Sequence, residues 1–182
     1  MAALTNDYTK CTIFIYDMEG NHLVDTVITE HIKAEMQISI SNMPKALNVN
    51  DDCKLLILTE PSPCEYVGRV KKIAGKLFLA LRQGQEKESR GATRYKVNTP
   101  ALIDVLFSEG KPYKLHTPVN VVLLNISVSG VRFRAPYYTL TNNDSFQMHL
   151  TIKGAKKKLV AQAVNTLDNE PDSSDYGCIF AN

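Results

Sequence analysis

The sequence predicts a mainly all-β protein, two small β-barrels joined by a polar segment. Three observations carry that prediction. Short runs of β-branched and aromatic residues recur between turn signals about every ten residues. No stretch of the first half holds a sustained helical period. A single break then interrupts the pattern: across residues 82–93 the only apolar side chain is Ala92, and Gly84 and Gly91 lie within it, which is linker composition. The expected division is an N-terminal β-domain at 1–84, a linker at 85–94 and a second barrel of six or seven strands at 95–182.

The first half supplies strands in close succession. Residues 11–16 are rich in β-branched and aromatic side chains, and Asp17-Met18-Glu19-Gly20-Asn21 after them reads as a hairpin turn into 23–28. Met36, Ile38 and Ile40 alternate with Gln37 and Ser39, a half-buried strand ended by Ser41-Asn42-Met43-Pro44. Residues 54–59 form a compact apolar strand closed by Glu60-Pro61-Ser62-Pro63, and 66–73 and 77–81 pair across Ala74-Gly75-Lys76. Such a series suggests a small barrel or sandwich, and we expect the barrel.

Beyond the linker, strands are expected at 95–97 and 101–107, followed by a turn at Ser108-Glu109-Gly110-Lys111-Pro112. Further strands follow at 120–127, 131–135, 146–152, 159–164 and 175–180. Phe146, Met148, Leu150 and Ile152 alternate with polar neighbours, so that strand is half exposed. No internal repeat is visible in the sequence.

Composition narrows the class. Hydrophobic content of 44% and charged content of 22% are ordinary for a soluble globular chain. Net charge is only +2, too little for wholesale binding to a nucleic acid polymer or an anionic membrane. Residues 1–85 hold nine basic and ten acidic side chains, while 86–182 hold twelve and nine. The excess positive charge therefore lies on the second half, where an anionic ligand is expected. No apolar run approaches the ~20 residues of a membrane span. The polar N-terminus lacks a signal-peptide layout, so a cytoplasmic protein without membrane insertion is expected. Cys11, Cys53, Cys64 and Cys178 have no C-x-x-C spacing and read as reduced thiols, with no metal site. Asn125-Ile126-Ser127 also matches a glycosylation acceptor, a reading with no support in the absence of secretion. No G-x-S-x-G, H-E-x-x-H or Walker-type loop is present, and no enzymatic activity is expected.

Two clusters stand out. In Arg90-x-x-x-Arg94, two guanidiniums suit a small dianion. Each can fork onto an oxygen pair or a guanine edge, or stack on a base. Asn125-x-Ser127-x-x-Gly130 offers an amide and a hydroxyl at a strand end beside a glycine, where backbone can come close to a ligand. The ordered pair, with strands between and after, resembles the signature of the PilZ domain, a family that binds the bacterial second messenger cyclic di-GMP.

The resemblance covers roughly residues 88–180. It implies that Arg90 and Arg94 grip phosphates and guanine edges, and that Asn125 and Ser127 contact a guanine or brace the arginines. Gly130 would let the chain turn close to the base, and Tyr176-Gly177-Cys178-Ile179-Phe180 is similar to the family's closing strand. Many members carry further basic or aromatic residues about the arginines, whereas Ser89, Gly91, Ala92 and Thr93 surround them here; the stoichiometry of one or two ligand molecules stays open. The sequence ends shortly after Phe180, so the C-terminal helix common in the family is not expected. More loosely, the strand around Tyr66-Val67-Gly68-Arg69-Val70 is similar to the N-terminal domain of two-domain flagellar-brake members.

The resemblance implies a cytosolic receptor that needs no cofactor and binds, without turning over, cyclic di-GMP between the linker and the second barrel. Ordering of the linker would change the disposition of the two domains and so control an unidentified protein target, in motility, exopolysaccharide or transcriptional regulation. The alternative is an interaction adaptor of the same fold that binds no nucleotide. Other features read as ordinary surface or core. Lys156-Lys157-Lys158 flanks a hairpin with no interleaved aromatic platform, and His116 and His149 have no partner at catalytic spacing. Arg132 and Arg134 alternate with Val131 and Phe133, which leaves open whether they join the ligand site or are solvated.

Overall fold

The computed structural model describes residues 6–60, 62–82, 92–169 and 172–181. Arg90 and residues 85–91 of the expected linker lie outside the described residues. The chain divides into two compact units, Met1–Thr59 with Cys64–Glu86, and Glu60–Pro63 with Lys87–Asn182.

The first unit holds β1 (Thr12–Tyr16), β2 (His22–Ile32), β3 (Gln37–Ile40), β4 (Asp52–Ile57), β5 (Cys64–Ile73) and β6 (Lys76–Arg82). They close into a barrel in the order β1-β2-β3-β6-β5-β4. Its interior is filled by alternate residues of each strand, among them Ile13, Ile15, Ile28, Ile38, Leu55, Ile57, Val70 and Leu79, all fully buried. A single 3-10 turn, Lys33–Glu35, links β2 to β3 and ends on Met36 in the left-handed region at φ 52°.

The second unit holds β7 (Tyr95–Ser108), β8 (Lys111–Ile126), β9 (Gly130–Pro136), β10 (Ser145–Ile152), β11 (Ala155–Asn169) and β12 (Ser173–Phe180). These close in the order β10-β11-β12-β9-β8-β7. Counted from its own first strand, each barrel has the same neighbour order, first-second-third-sixth-fifth-fourth, with every pairing antiparallel. The sequence carries no trace of this repeat, because a barrel asks only for alternation and turns, which many unrelated sequences supply. Three aromatics centre the second barrel. Phe133 lies edge-on to Phe146 at 5.4 Å and stacked on Tyr176 at 5.3 Å, an arrangement worth more than area burial alone.

Strand lengths depart from the sequence expectation in a consistent way. The pieces at 95–97 and 101–107 are one strand, continuous through a register shift between Lys96 and Thr99; Pro100 hides the continuity because proline rarely sits inside a ladder. β8 begins at Lys111, well before residue 120, and its first nine residues are exposed or half-buried. Period-2 patterning reports burial of one face, so a solvated hairpin arm leaves no such signal. Pro112 and Pro118 stand on this arm, a common way to blunt strand edges.

Among the described residues, no helix is long and apolar enough to cross a membrane. Among the described residues, no group of three or more His, Cys, Asp or Glu is placed to hold a metal. All four cysteines are free thiols.

Candidate functional site on the outer face of the second barrel

Strand register sets the site. Across the sheet β8-β9-β12-β11, Asn125 stands opposite Arg132, Arg132 opposite Gly177, and Gly177 opposite Asn165. In the next row Arg134 faces Asp175 and Asp175 faces Leu167. Val131, Phe133, Tyr176 and Cys178 alternate with these residues and are buried, so both rows lie on the outside of the barrel. A cleft of about 420 Å³ opens over them, lined by Arg94, Asn125, Ser127, Gly130 and Arg132 on its polar side. Val164, Leu167 and Ile179 form its apolar side, each of them about half exposed. A register shift between Ala163 and Asn165 leaves Val164 outside the β11 ladder, the local effect of a bulge. The volume is of the size that small-molecule sites occupy.

Four of the five residues expected from the sequence thus line one cleft. Arg90 lies outside the described residues. Arg94, just before β7, is exposed and has no acidic partner among the described residues. The Asn125 side-chain amide makes no hydrogen bond to another described residue, although the residue is half-buried. Among the described residues, both therefore leave hydrogen-bonding capacity available at the cleft.

Ser127 and Gly130 have a different character. Ser127 is only 5% exposed, and its hydroxyl oxygen accepts the backbone N–H of Ser129 at 3.3 Å and of Gly130 at 3.2 Å. The backbone N–H of Ser127 donates to the Gly130 carbonyl at 2.9 Å. The hydroxyl is therefore spent on closing the β8–β9 turn, as Ser side chains commonly are. Gly130 is not in the left-handed region. A Cβ there would meet the backbone carbonyl oxygen of Cys178 at 2.1 Å, so strand approach within the barrel, not a ligand or a special turn, requires its bare backbone. Both residues build the wall that Asn125 and Arg132 stand on.

Gly177 is the converse case. A Cβ there would meet Asn165 at an ordinary 3.6 Å, and its φ is not in the left-handed region. Neither strain nor a clash demands glycine, yet its absent side chain leaves the cleft floor bare. A glycine inside a strand does signal close approach of a ligand or another backbone, and that signal was available in the sequence. The apolar side was not: Val164, Leu167 and Ile179 meet only once β11 and β12 pair beside β9.

Asp175 completes the electrostatics. It is 4% exposed and accepts Arg134 Nε on Oδ1 at 2.7 Å, with Arg134 Nη2 at 3.2 Å and Arg132 Nη2 at 3.0 Å both on Oδ2. Burial pushes its carboxyl up, but the hydrogen bond and charge of Arg134 and the charge of Arg132 outweigh that and hold it below its ordinary value. The Cys178 thiol behind the cleft is pushed up to about 12 by burial and is a packing group, not a nucleophile.

No family model matches the chain, and no curated protein does. Among solved structures, it resembles the MrkH–c-di-GMP complex of K. pneumonia, at 12% identity and a TM-score of 0.38, covering 95% of this chain and 80% of that one. It resembles the Bacillus subtilis inhibitor of motility MotI/DgrA at 9% identity and a TM-score of 0.39, covering 98% and 90%. YcgR from Escherichia coli in complex with c-di-GMP is 11% identical, with a TM-score of 0.38 and coverage of 95% and 76%. Another MrkH structure, 14% identical with a TM-score of 0.35, is described as a c-di-GMP-dependent transcription regulatory factor.

Proposed function

We propose that this chain is a cyclic di-GMP receptor of the PilZ type, with the ligand held in the outer-face cleft of the second barrel. The observation that carries the reading is the convergence of Arg94 and Asn125, whose side chains have no partner among the described residues, on a cleft whose opposite side is aliphatic and whose floor is a bare glycine. A cyclic dinucleotide needs this combination: cations for its phosphates, a directional group for a base edge, and an apolar surface for a base face. Arg94, with Arg90 beside it in sequence, takes the phosphates; Asn125 reads a guanine edge; Val164, Leu167 and Ile179 cover a purine. Charge-assisted hydrogen bonds of roughly 1.5–3 kcal/mol each reach the ~8 kcal/mol of a micromolar ligand with few additional contacts. The ligand is bound and not turned over, and its arrival controls how the chain engages a protein target.

Titration calorimetry with cyclic di-GMP and cyclic di-AMP tests this. Cyclic di-GMP is expected to bind in the micromolar range or tighter. Cyclic di-AMP is expected to bind at least tenfold more weakly, because adenine replaces the O6 acceptor with an amino donor. Equal affinities would show a site that senses phosphate alone, and no heat from either ligand would leave the adaptor reading.

A further inference from the structure

We infer that Arg132 is a further ligand-reading residue of this cleft, held in place by Asp175, while Arg134 neutralises that carboxylate from outside the cleft. The inference rests on the receptor reading above. Its starting point is an asymmetry between two arginines that look equivalent in sequence. Arg134 spends two donors on Asp175 in a fork, through Nε and Nη2, and does not line the cleft. Arg132 lines the cleft and spends only Nη2 on the same carboxylate. A guanidinium carries five N–H donors, and the others on Arg132 meet no described residue.

Position adds to this. Arg132 stands between Asn125 on β8 and Gly177 on β12. One neighbour is an amide with no partner among the described residues, and the other has no side chain at all. The guanidinium therefore has open space on one side and a second polar reader on the other. Two cations share one buried carboxylate, so the cluster keeps a net positive charge facing an anionic ligand. Arg132 is thus suited to fork onto the O6 and N7 of a guanine, the commonest specific arginine contact with that base. Asp175 acts as a positioning residue: a single bond from Nη2 limits where the guanidinium plane can go.

The test compares Arg132→Gln, Arg132→Lys and Arg134→Gln in the full chain, with cyclic di-GMP and cyclic di-AMP as probes and thermal melting as a check on the fold. The Arg132 and Arg134 side chains are 40% and 49% exposed, so both glutamine variants should fold. Arg132→Gln is expected to weaken cyclic di-GMP at least tenfold and to shrink the preference over cyclic di-AMP. Arg132→Lys should recover part of the affinity, through its charge, and none of the preference, since an ammonium cannot fork. Arg134→Gln should change affinity less than threefold. Wild-type affinity in both Arg132 variants would overturn the inference and leave the receptor standing. An equal loss in Arg134→Gln would overturn it too, by showing a general charge effect. If the wild-type chain binds neither nucleotide, both the receptor reading and the inference fall.

Discussion

Arg94→Ala is expected to weaken cyclic di-GMP binding about a hundredfold or more, roughly 3 kcal/mol, and to leave the melting temperature unchanged. The size follows from losing a forked, charge-assisted contact to phosphate, whose two bonds are each worth about 1.5–3 kcal/mol. The unchanged stability follows from the residue's place: Arg94 is exposed, precedes the first strand of its barrel and has no acidic partner among the described residues. Calorimetry and a thermal melt on the same sample separate the two effects. Wild-type affinity in this variant would remove the cleft from the account.

Gly130→Ala should have the opposite profile. A methyl group 2.1 Å from the carbonyl oxygen of Cys178 cannot be relieved by a rotamer change, because the obstacle is backbone of the neighbouring strand. β9 and β12 must part at the point where Gly130 faces Ile179. A loss of about 3 kcal/mol or more in unfolding free energy is expected, at or beyond the upper end of overpacking costs, read by urea denaturation. Ligand binding would fall with the fold. Gly177→Ala supplies the contrast, since its Cβ meets nothing closer than 3.6 Å. Stability there should stay within about 0.5 kcal/mol of wild type.

The same two glycines show where sequence reading reached and where it stopped. Alternation in β10 and the turn before β2 were legible because burial of one face and turn chemistry are local properties. Of the motif residues, Asn125, Ser127 and Gly130 line one cleft with Arg94. Their roles were not legible. The demand on Gly130 comes from a carbonyl on β12, far along the chain, and Ser127 closes a turn whose donors the sequence cannot orient. Asp175 looked like one acid in a closing strand, and only the β9–β12 register shows that it binds two arginines. The outer arm of β8 was invisible for another reason: with no buried residue on either face, it has no hydrophobic pattern to read.

The central claim is that the outer face of β8-β9-β12-β11 in the second barrel takes cyclic di-GMP. A backbone amide NMR titration of the intact chain tests it most directly. The account predicts saturable shifts at Asn125, Arg132, Val164, Gly177 and Ile179, with strands β1 and β4 of the first barrel unmoved. Saturable shifts confined to the first barrel, or none in this row at ligand concentrations that calorimetry shows to be saturating, would contradict it.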